Sequence, residues 1–99
     1  MAARVSLDRH VVDVLMPDLV GHERQPSAFV VYLYLWCRAP AGRARRTAVS
    51  LQQIAVDTGL SKSAVQQALR RLKRRRLVSS RQATATSVPE YLVHAPWVR

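Results

Sequence analysis

The sequence has few residues that could build a metal site, a redox site or a membrane span. Its one cysteine, Cys37, cannot form an internal disulfide, and its three histidines (His10, His22 and His94) lack the paired spacing of metal ligands. We therefore expect no metal, no cofactor and a reducing compartment. The longest apolar run, residues 28–37, is ten residues long, whereas a helix that spans a bilayer needs about 20. The sequence thus predicts no membrane partner.

Acidic residues are also scarce, since six Asp and Glu stand against sixteen Lys and Arg, and the formal net charge is +10. The sequence contains neither a glycine-rich phosphate loop nor a nucleophile motif, so we expect that it is not an enzyme. Through Ala41 four basic residues balance four acidic ones, and from Gly42 onward twelve basic residues stand against two. The second part is therefore expected to bind a polyanion, and the first to pack without charge repulsion.

A chain of 99 residues, 48% of them apolar, is long enough for one hydrophobic core and too short for two. Near its start, Ser6 is a candidate N-cap for a short helix over residues 7–15, which Pro17 is expected to end. The expected apolar side of that helix consists of Val11, Val12 and Leu15.

The apolar run predicts a second helix, with Ser27 as its N-cap and its end near Arg38. A buried strand is the alternative, because the run is rich in β-branched and aromatic residues. A helix without a polar face must be covered on both sides, by the rest of the domain and, we expect, by a second subunit. Its aromatic residues (Tyr32, Tyr34 and Trp36) are interpreted as packing residues, with a cradle for a small ligand as the alternative.

After an arginine-bearing loop and a short strand at residues 47–49, two helices are predicted with a tight turn between them. Ser50 and Gln53 form a capping box at the start of the first, and Gly59 suits the left-handed residue that ends it. Ser61 is the expected N-cap of the second, which runs over residues 61–75. Its inward stripe consists of Val65, Ala68, Leu69 and Leu72. Strands at residues 77–82 and 90–94 then form a hairpin, and Trp97 is expected to fix the C-terminal end against the body.

This order of helix, glycine turn, helix and hairpin resembles that of bacterial winged helix-turn-helix DNA-binding transcriptional regulators. The resemblance is carried by LQQIAVDTGLSKSAVQQALRRL, residues 51–72, followed by LVSSRQ. The family's small residue on the first helix matches Ala55, its turn glycine matches Gly59 and its buried β-branched residue matches Val65. The resemblance implies a mainly α fold with a small β-hairpin. Residues 26–99 would form the winged domain, and residues 1–25 would precede it as an N-terminal part with a short helix and a dimer contact.

The helix over residues 61–75 has its own evidence for nucleic-acid binding. Its outward face carries no acid, and no carboxylate occurs between Asp57 and Glu90, whereas a merely solvated helix face usually mixes both signs of charge. With this helix in the major groove, glutamines would pair with adenine and Arg70 with guanine, residues at the helix start would meet phosphates, and the hairpin would reach a flanking groove. The predicted contacts are Ser61, Lys62, Ser63, Gln66, Gln67, Arg70, Lys73, Arg74, Arg81 and Gln82. The loop arginines (Arg43, Arg45 and Arg46) either touch phosphate or lie in solvent.

One position departs from the family pattern. Similar proteins commonly have glycine at the end of the recognition helix, where this sequence has Arg76. A positive φ costs a non-glycine residue about 1 kcal/mol, so either the helix ends differently or the arginine is retained for its charge.

The expected function is operator binding by a cytoplasmic, nucleoid-associated homodimer whose residues 1–41 supply the subunit contact. A plasmid or phage replication or partition protein is one alternative, and an RNA-binding basic protein is another. A winged helix that binds proteins is a third. The sequence does not indicate an effector.

Overall fold

The computed structural model describes residues 4–40 and 45–98. About half of the chain is helical, and a small three-stranded antiparallel sheet completes the fold, as the sequence predicts at this level. In chain order the elements are two π-helical stretches (Val11–Leu15 and Pro17–His22), α1 (Pro26–Arg38), β1 (Arg45–Ala48), α2 (Leu51–Thr58), α3 (Lys62–Arg74), β2 (Val78–Arg81) and β3 (Glu90–Val93).

The first helical part, residues 9–22, is longer than predicted, and we call it the N-terminal segment. The expectation that Pro17 ends this helix is wrong, because Pro17 is the first residue of the second π-helical stretch. Proline is tolerated there because the first turn of a helical stretch does not need its missing N–H. The wide π-helical turn also changes the inward stripe. The buried residues are Val11, Leu15 and Leu19, at intervals of four, and Val12 is exposed.

The longest apolar run lies in helix α1, which confirms the predicted helix over the alternative of a buried strand. The predicted N-cap at Ser27 is wrong, because Pro26 takes the first helical position and Gln25 precedes it without a side-chain hydrogen bond. Its inward side, buried in the core, consists of Ala28, Val31, Tyr32, Leu35 and Trp36. On the other side Val30 and Cys37 are exposed, so the described residues leave part of this apolar helix uncovered.

The caps of α2 and α3 are those that the sequence predicts. Ser50 Oγ accepts a hydrogen bond from the backbone N–H of Gln53 (3.1 Å), and Ser61 Oγ accepts one from the first turn of α3 (3.0 Å). Gly59 ends α2 with a φ of 78°, in the left-handed region. One half of the capping box is wrong, because the Gln53 side chain donates to Asp57 Oδ1 (2.7 Å) instead of reaching back.

Helix α3 ends within one residue of its predicted end, in a Schellman motif around Arg76. The backbone N–H of Leu77 donates to the carbonyl of Leu72 (2.9 Å), and that of Arg76 to the carbonyl of Lys73 (3.0 Å). The two leucines that this motif brings together are both buried. Arg76 has a φ of 59°, so an arginine occupies the position where glycine would be free of strain.

The sheet has the order β1-β3-β2, and both neighbouring pairs are antiparallel. Strands β2 and β3 form the predicted hairpin and are slightly shorter than predicted. Strand β1 begins two residues earlier than predicted, at Arg45. It ends one residue earlier than predicted, at Ala48, because Val49 makes only an isolated backbone hydrogen bond to the carbonyl of Pro89 (3.2 Å). Arg45 and Arg46, expected in a loop, therefore lie in β1, and Arg43 lies outside the described residues.

Trp36 and Trp97 attach both ends of the described chain to the core. Their rings stack with centroids 6.3 Å apart, and the Trp97 ring also stacks on His10 at 4.3 Å. Trp97 Nε1 donates to Asp8 Oδ2 (3.0 Å), which confirms that this residue fixes the C-terminal end. Trp36 Nε1 donates to the backbone carbonyl of Ser6 (2.8 Å). Ser6 does not cap the first helix as expected, because helical structure begins three residues later.

Candidate functional site

Helix α3 presents four sides, each with different partners. The inward stripe that the sequence predicts is confirmed, since all four of its members are buried: Val65, Ala68, Leu69 and Leu72. At 100° per residue, one flank carries Arg71 and Arg75, the other carries Lys62, Gln66 and Lys73, and the outer face lies between them.

The flank with Arg71 and Arg75 is held by acids of the N-terminal part. Arg71 Nη1 lies 3.3 Å from Glu23 Oε1, and Arg75 Nη2 lies 2.8 Å from Asp18 Oδ2. The Arg75 guanidinium also contacts the Glu23 carboxylate. The hydrogen bond from Arg75 holds the pKa of the Asp18 carboxyl below its usual value. These pairs neutralise this flank and attach α3 to the preceding helices, which the sequence reasoning missed.

The outer face of α3 is exposed. It consists of Ser63, Gln67, Arg70 and Arg74. None of these four side chains forms an ion pair within residues 4–40 and 45–98. Gln67, Arg70 and Arg74 border a shallow depression of about 180 Å³, whose remaining lining comes from Gln25 and Arg71. This face can therefore donate several hydrogen bonds to an anion without breaking internal ones.

The carboxylate nearest to this face in sequence is occupied elsewhere. Asp57, in the last turn of α2, accepts a hydrogen bond from Tyr34 Oη (2.5 Å) and one from Gln53 Nε2 (2.7 Å). The hydrogen bond from Tyr34 lowers the pKa of Asp57, with that from Gln53 as the second cause. This acid thus ties α2 to α1.

A cleft of about 440 Å³ separates the lysine flank of α3 from the hairpin. Lys62 and Lys73, the chain's only two lysines, both line it. They are three helical turns apart, about 16 Å along the axis at 1.5 Å per residue. Its other walls are the first turn of α2 and the hairpin, represented by Ser50, Leu51, Gln52, Ser80, Gln82, Thr86, Ser87, Val88, Pro89 and Tyr91. The cleft is therefore an elongated groove with one cation toward each end of α3.

The hairpin tip is held together by its own polar side chains. Gln82 Nε2 donates to the backbone carbonyls of Ala85 (3.3 Å) and Ser87 (2.6 Å), and Thr84 and Ser87 exchange side-chain bonds with each other's backbone. Gln82, predicted as a DNA contact, therefore has its amide nitrogen engaged inside the tip. Arg81 is 67% exposed, and its Nε lies 4.0 Å from Glu90 Oε1, at the distance limit of an ion pair. Its guanidinium is therefore accessible.

Four further residues bear on the predicted contacts. Ser61 accepts a backbone hydrogen bond as the cap of α3, and only its hydroxyl proton remains to donate to a ligand. Gln66 is exposed on the lysine flank, next to the outer face. Arg45 is half-buried with its guanidinium 3.9 Å from the centroid of the Trp36 ring, so it packs against the core. Arg46 is exposed.

No protein-family model matches the chain, and searches of curated proteins and of solved structures find no match. Within residues 4–40 and 45–98, no three His, Cys, Asp or Glu side chains lie together as possible metal ligands. In the same residues no helix combines the length and the apolar character needed to cross a membrane.

Proposed function

We propose that this protein is a winged helix-turn-helix transcriptional regulator that binds double-stranded DNA through the outer face of α3. The observation that carries the proposal is the separation of charge around this helix. Its flank toward the N-terminal segment is neutralised by Asp18 and Glu23, whereas the cations of its outer face and lysine flank form no ion pair within the described residues. A helix that keeps such a face exposed suits the major groove, where polar and basic side chains meet base edges between two phosphate chains.

In this mechanism the outer face and the adjoining Gln66 read bases. Gln66 and Gln67 pair with adenine edges through their amides, and Arg70 donates two hydrogen bonds to guanine. Each good bidentate contact contributes about 1–3 kcal/mol of discrimination between bases. Arg74, one turn beyond Arg70, is placed for the backbone.

Other residues fix the position of the helix on the duplex. Ser61, Lys62 and Ser63 meet phosphate oxygens at the start of α3, where free backbone N–H groups add to the positive potential. The groove with Lys62 and Lys73 accommodates one sugar-phosphate strand between α3 and the hairpin. The hairpin acts as the wing, with Arg81 toward the flanking DNA and Gln82 as the residue that shapes the tip.

Selection of bound fragments from random double-stranded DNA tests this function, with Arg70→Ala and Arg71→Gln run beside the wild type. We expect Arg70→Ala to weaken the selected site by about 1–3 kcal/mol and to relax one base position. Arg71→Gln is the matched control, because it removes a neighbouring charge that faces Glu23, and it should select the same sequence as the wild type.

Salt dependence supplies the second readout. Arg74→Ala should weaken all DNA sequences alike and reduce the salt slope by about one unit, because it removes one phosphate contact. Preference for RNA over duplex DNA in competition, or affinity that does not change with salt, would refute the proposal. Protection of repeated sites at a replication origin, rather than of one palindrome near a promoter, would instead indicate a replication or partition protein.

A further inference from the structure

The N-terminal segment carries an exposed apolar stripe beside its buried one. Val12, Met16 and Val20 follow at intervals of four residues and are 41%, 39% and 41% exposed. Each comes one residue after a member of the buried stripe. The wide turn that buries one set therefore aligns the other on a single neighbouring side. An exposed apolar stripe of this kind commonly marks a contact with a partner.

Opposite charges lie just outside the two ends of the helical part: Asp8 precedes it, and Arg24 follows it with a left-handed φ of 52°. Asp8 lies four residues before Val12, and Arg24 lies four residues after Val20. Neither forms an ion pair within the described part of the chain: Asp8 accepts a hydrogen bond from Trp97, and Arg24 is exposed. If the order of these residues is reversed, the three central positions remain apolar, and Asp8 and Arg24 exchange places. In sequence order, the stripe with its two flanking charges is therefore complementary to an antiparallel copy of itself.

We propose that this stripe is the contact between two copies of the chain, related by a two-fold axis beside Met16 and with their N-terminal segments antiparallel. Met16 then meets its own counterpart, and Val12 meets Val20 of the second copy. Asp8 meets Arg24 of the second copy, and the two-fold axis forms every contact except the central one twice.

A second copy fits this surface better than another occupant for electrostatic reasons. Residues 1–41 are neutral as a set, so two such surfaces meet without the repulsion that the remaining, strongly basic part would cause. The same neutrality gives an anionic lipid surface nothing to attract. With extents of 37 × 31 × 30 Å, two copies side by side have centres roughly 30 Å apart. This is close to the ~34 Å between half-sites one DNA turn apart, although the contact itself does not depend on DNA binding.

Thiol cross-linking tests the register without DNA. In a Cys37→Ser background, Met16→Cys places a thiol next to its counterpart, and a disulfide requires Cα atoms about 4.4–6.8 Å apart. We expect Met16→Cys to cross-link into a dimer under mild oxidation. Val14→Cys, 45% exposed and half a turn away, is the matched control and should remain monomeric. Cross-linking of the wild-type chain through Cys37 instead would put the contact on α1 and overturn the proposal.

A charge exchange tests the flanking pairs by light scattering or sedimentation. In a dimer of either variant, Asp8→Arg or Arg24→Asp, like charges face each other at both flanking pairs. The dissociation constant of each variant alone should therefore be about three- to tenfold higher than that of the wild type. An equimolar mixture pairs opposite charges at both places and should restore association. If the mixture associates no better than the separate variants while circular dichroism shows both folded, the register is wrong.

The double variant Val12→Asp with Val20→Asp tests the apolar part of the contact and should be monomeric. A wild type that is monomeric throughout the micromolar range overturns the contact.

Discussion

Replacement of Arg76 by glycine should leave the fold as stable or make it more stable. Arg76 lies at φ 59° in the Schellman motif that ends α3, and its side chain is exposed. The left-handed conformation costs an L-residue about 1–2 kcal/mol and costs glycine nothing. Against this gain, glycine makes the unfolded chain more flexible, which costs about 0.5–1 kcal/mol.

The expected net change in the free energy of unfolding is therefore between zero and a gain of about 1.5 kcal/mol. For a domain of this size a gain of 1 kcal/mol corresponds to a rise in Tm of about 4–8 °C. Thermal unfolding followed by circular dichroism at 222 nm measures it directly. Two controls separate strain from charge. Arg76→Ala removes the charge and keeps the strain. Arg75→Gly replaces a residue with ordinary helical φ (−79°) that also contacts Asp18, so it should lower the Tm.

A fall in Tm of about 4 °C or more for Arg76→Gly would refute this reasoning, because it would mean that the arginine side chain contributes more than the strain removes. In DNA binding we expect Arg76→Gly and Arg76→Ala to weaken affinity alike, since both lose one cation at the end of α3. A difference between them would show that the backbone conformation, and not the charge, matters for binding.

Two further predictions follow from the turn glycine and from the tie to the N-terminal segment. Gly59→Ala should lower the Tm by up to about 4–8 °C, because a φ of 78° costs alanine about 1–2 kcal/mol, the stiffer unfolded chain offsets about 0.5–1 kcal/mol of this, and nothing lies within 4 Å of the added Cβ. A much larger loss would reveal a steric contact. Asp18→Asn should be less stable than the wild type at pH 7, by less than about 1 kcal/mol because the pair is one-third exposed. The pKa of Asp18 is lowered on folding, so this contribution is complete above its unfolded pKa and is lost as pH falls through the folded one. Urea unfolding at several pH values should therefore show the two proteins converging in acid, and a constant difference would exclude the carboxylate as the cause.

Local signals in the sequence predict the region from Ser50 to Leu77 well. A cap such as Ser61, a turn glycine such as Gly59 and the stripe around Val65 each act within a few residues, so neighbouring sequence determines them. The Schellman motif that ends α3 is equally local, and it gives Arg76 its positive φ.

Long-range contacts and unusual turns were not predictable in this way. Arg75 lies 57 residues from Asp18, and nothing in the local sequence distinguishes it from an arginine free to bind a ligand. Pro17 reads as a helix end because proline usually breaks an α-helix, and the change to a wider turn has no sequence signal of its own. Gln82 suits either an internal or an external partner, and only the path of the hairpin tip decides between them. Whether the outer face of α3 binds DNA stays a prediction.

The two ion-paired arginines on one flank of α3 also affect how the molecule approaches a charged partner. Because the carboxylates of Asp18 and Glu23 lie at one flank of this helix and the cations without an ion pair in the described residues lie on its outer face and other flank, the field of the protein has a direction as well as a size. A distant polyanion would exert a torque on the rotating molecule and turn the outer face of α3 toward itself before the two molecules come into contact. Encounters would then begin in a restricted set of poses, and dilute buffer would lengthen the range over which this alignment acts.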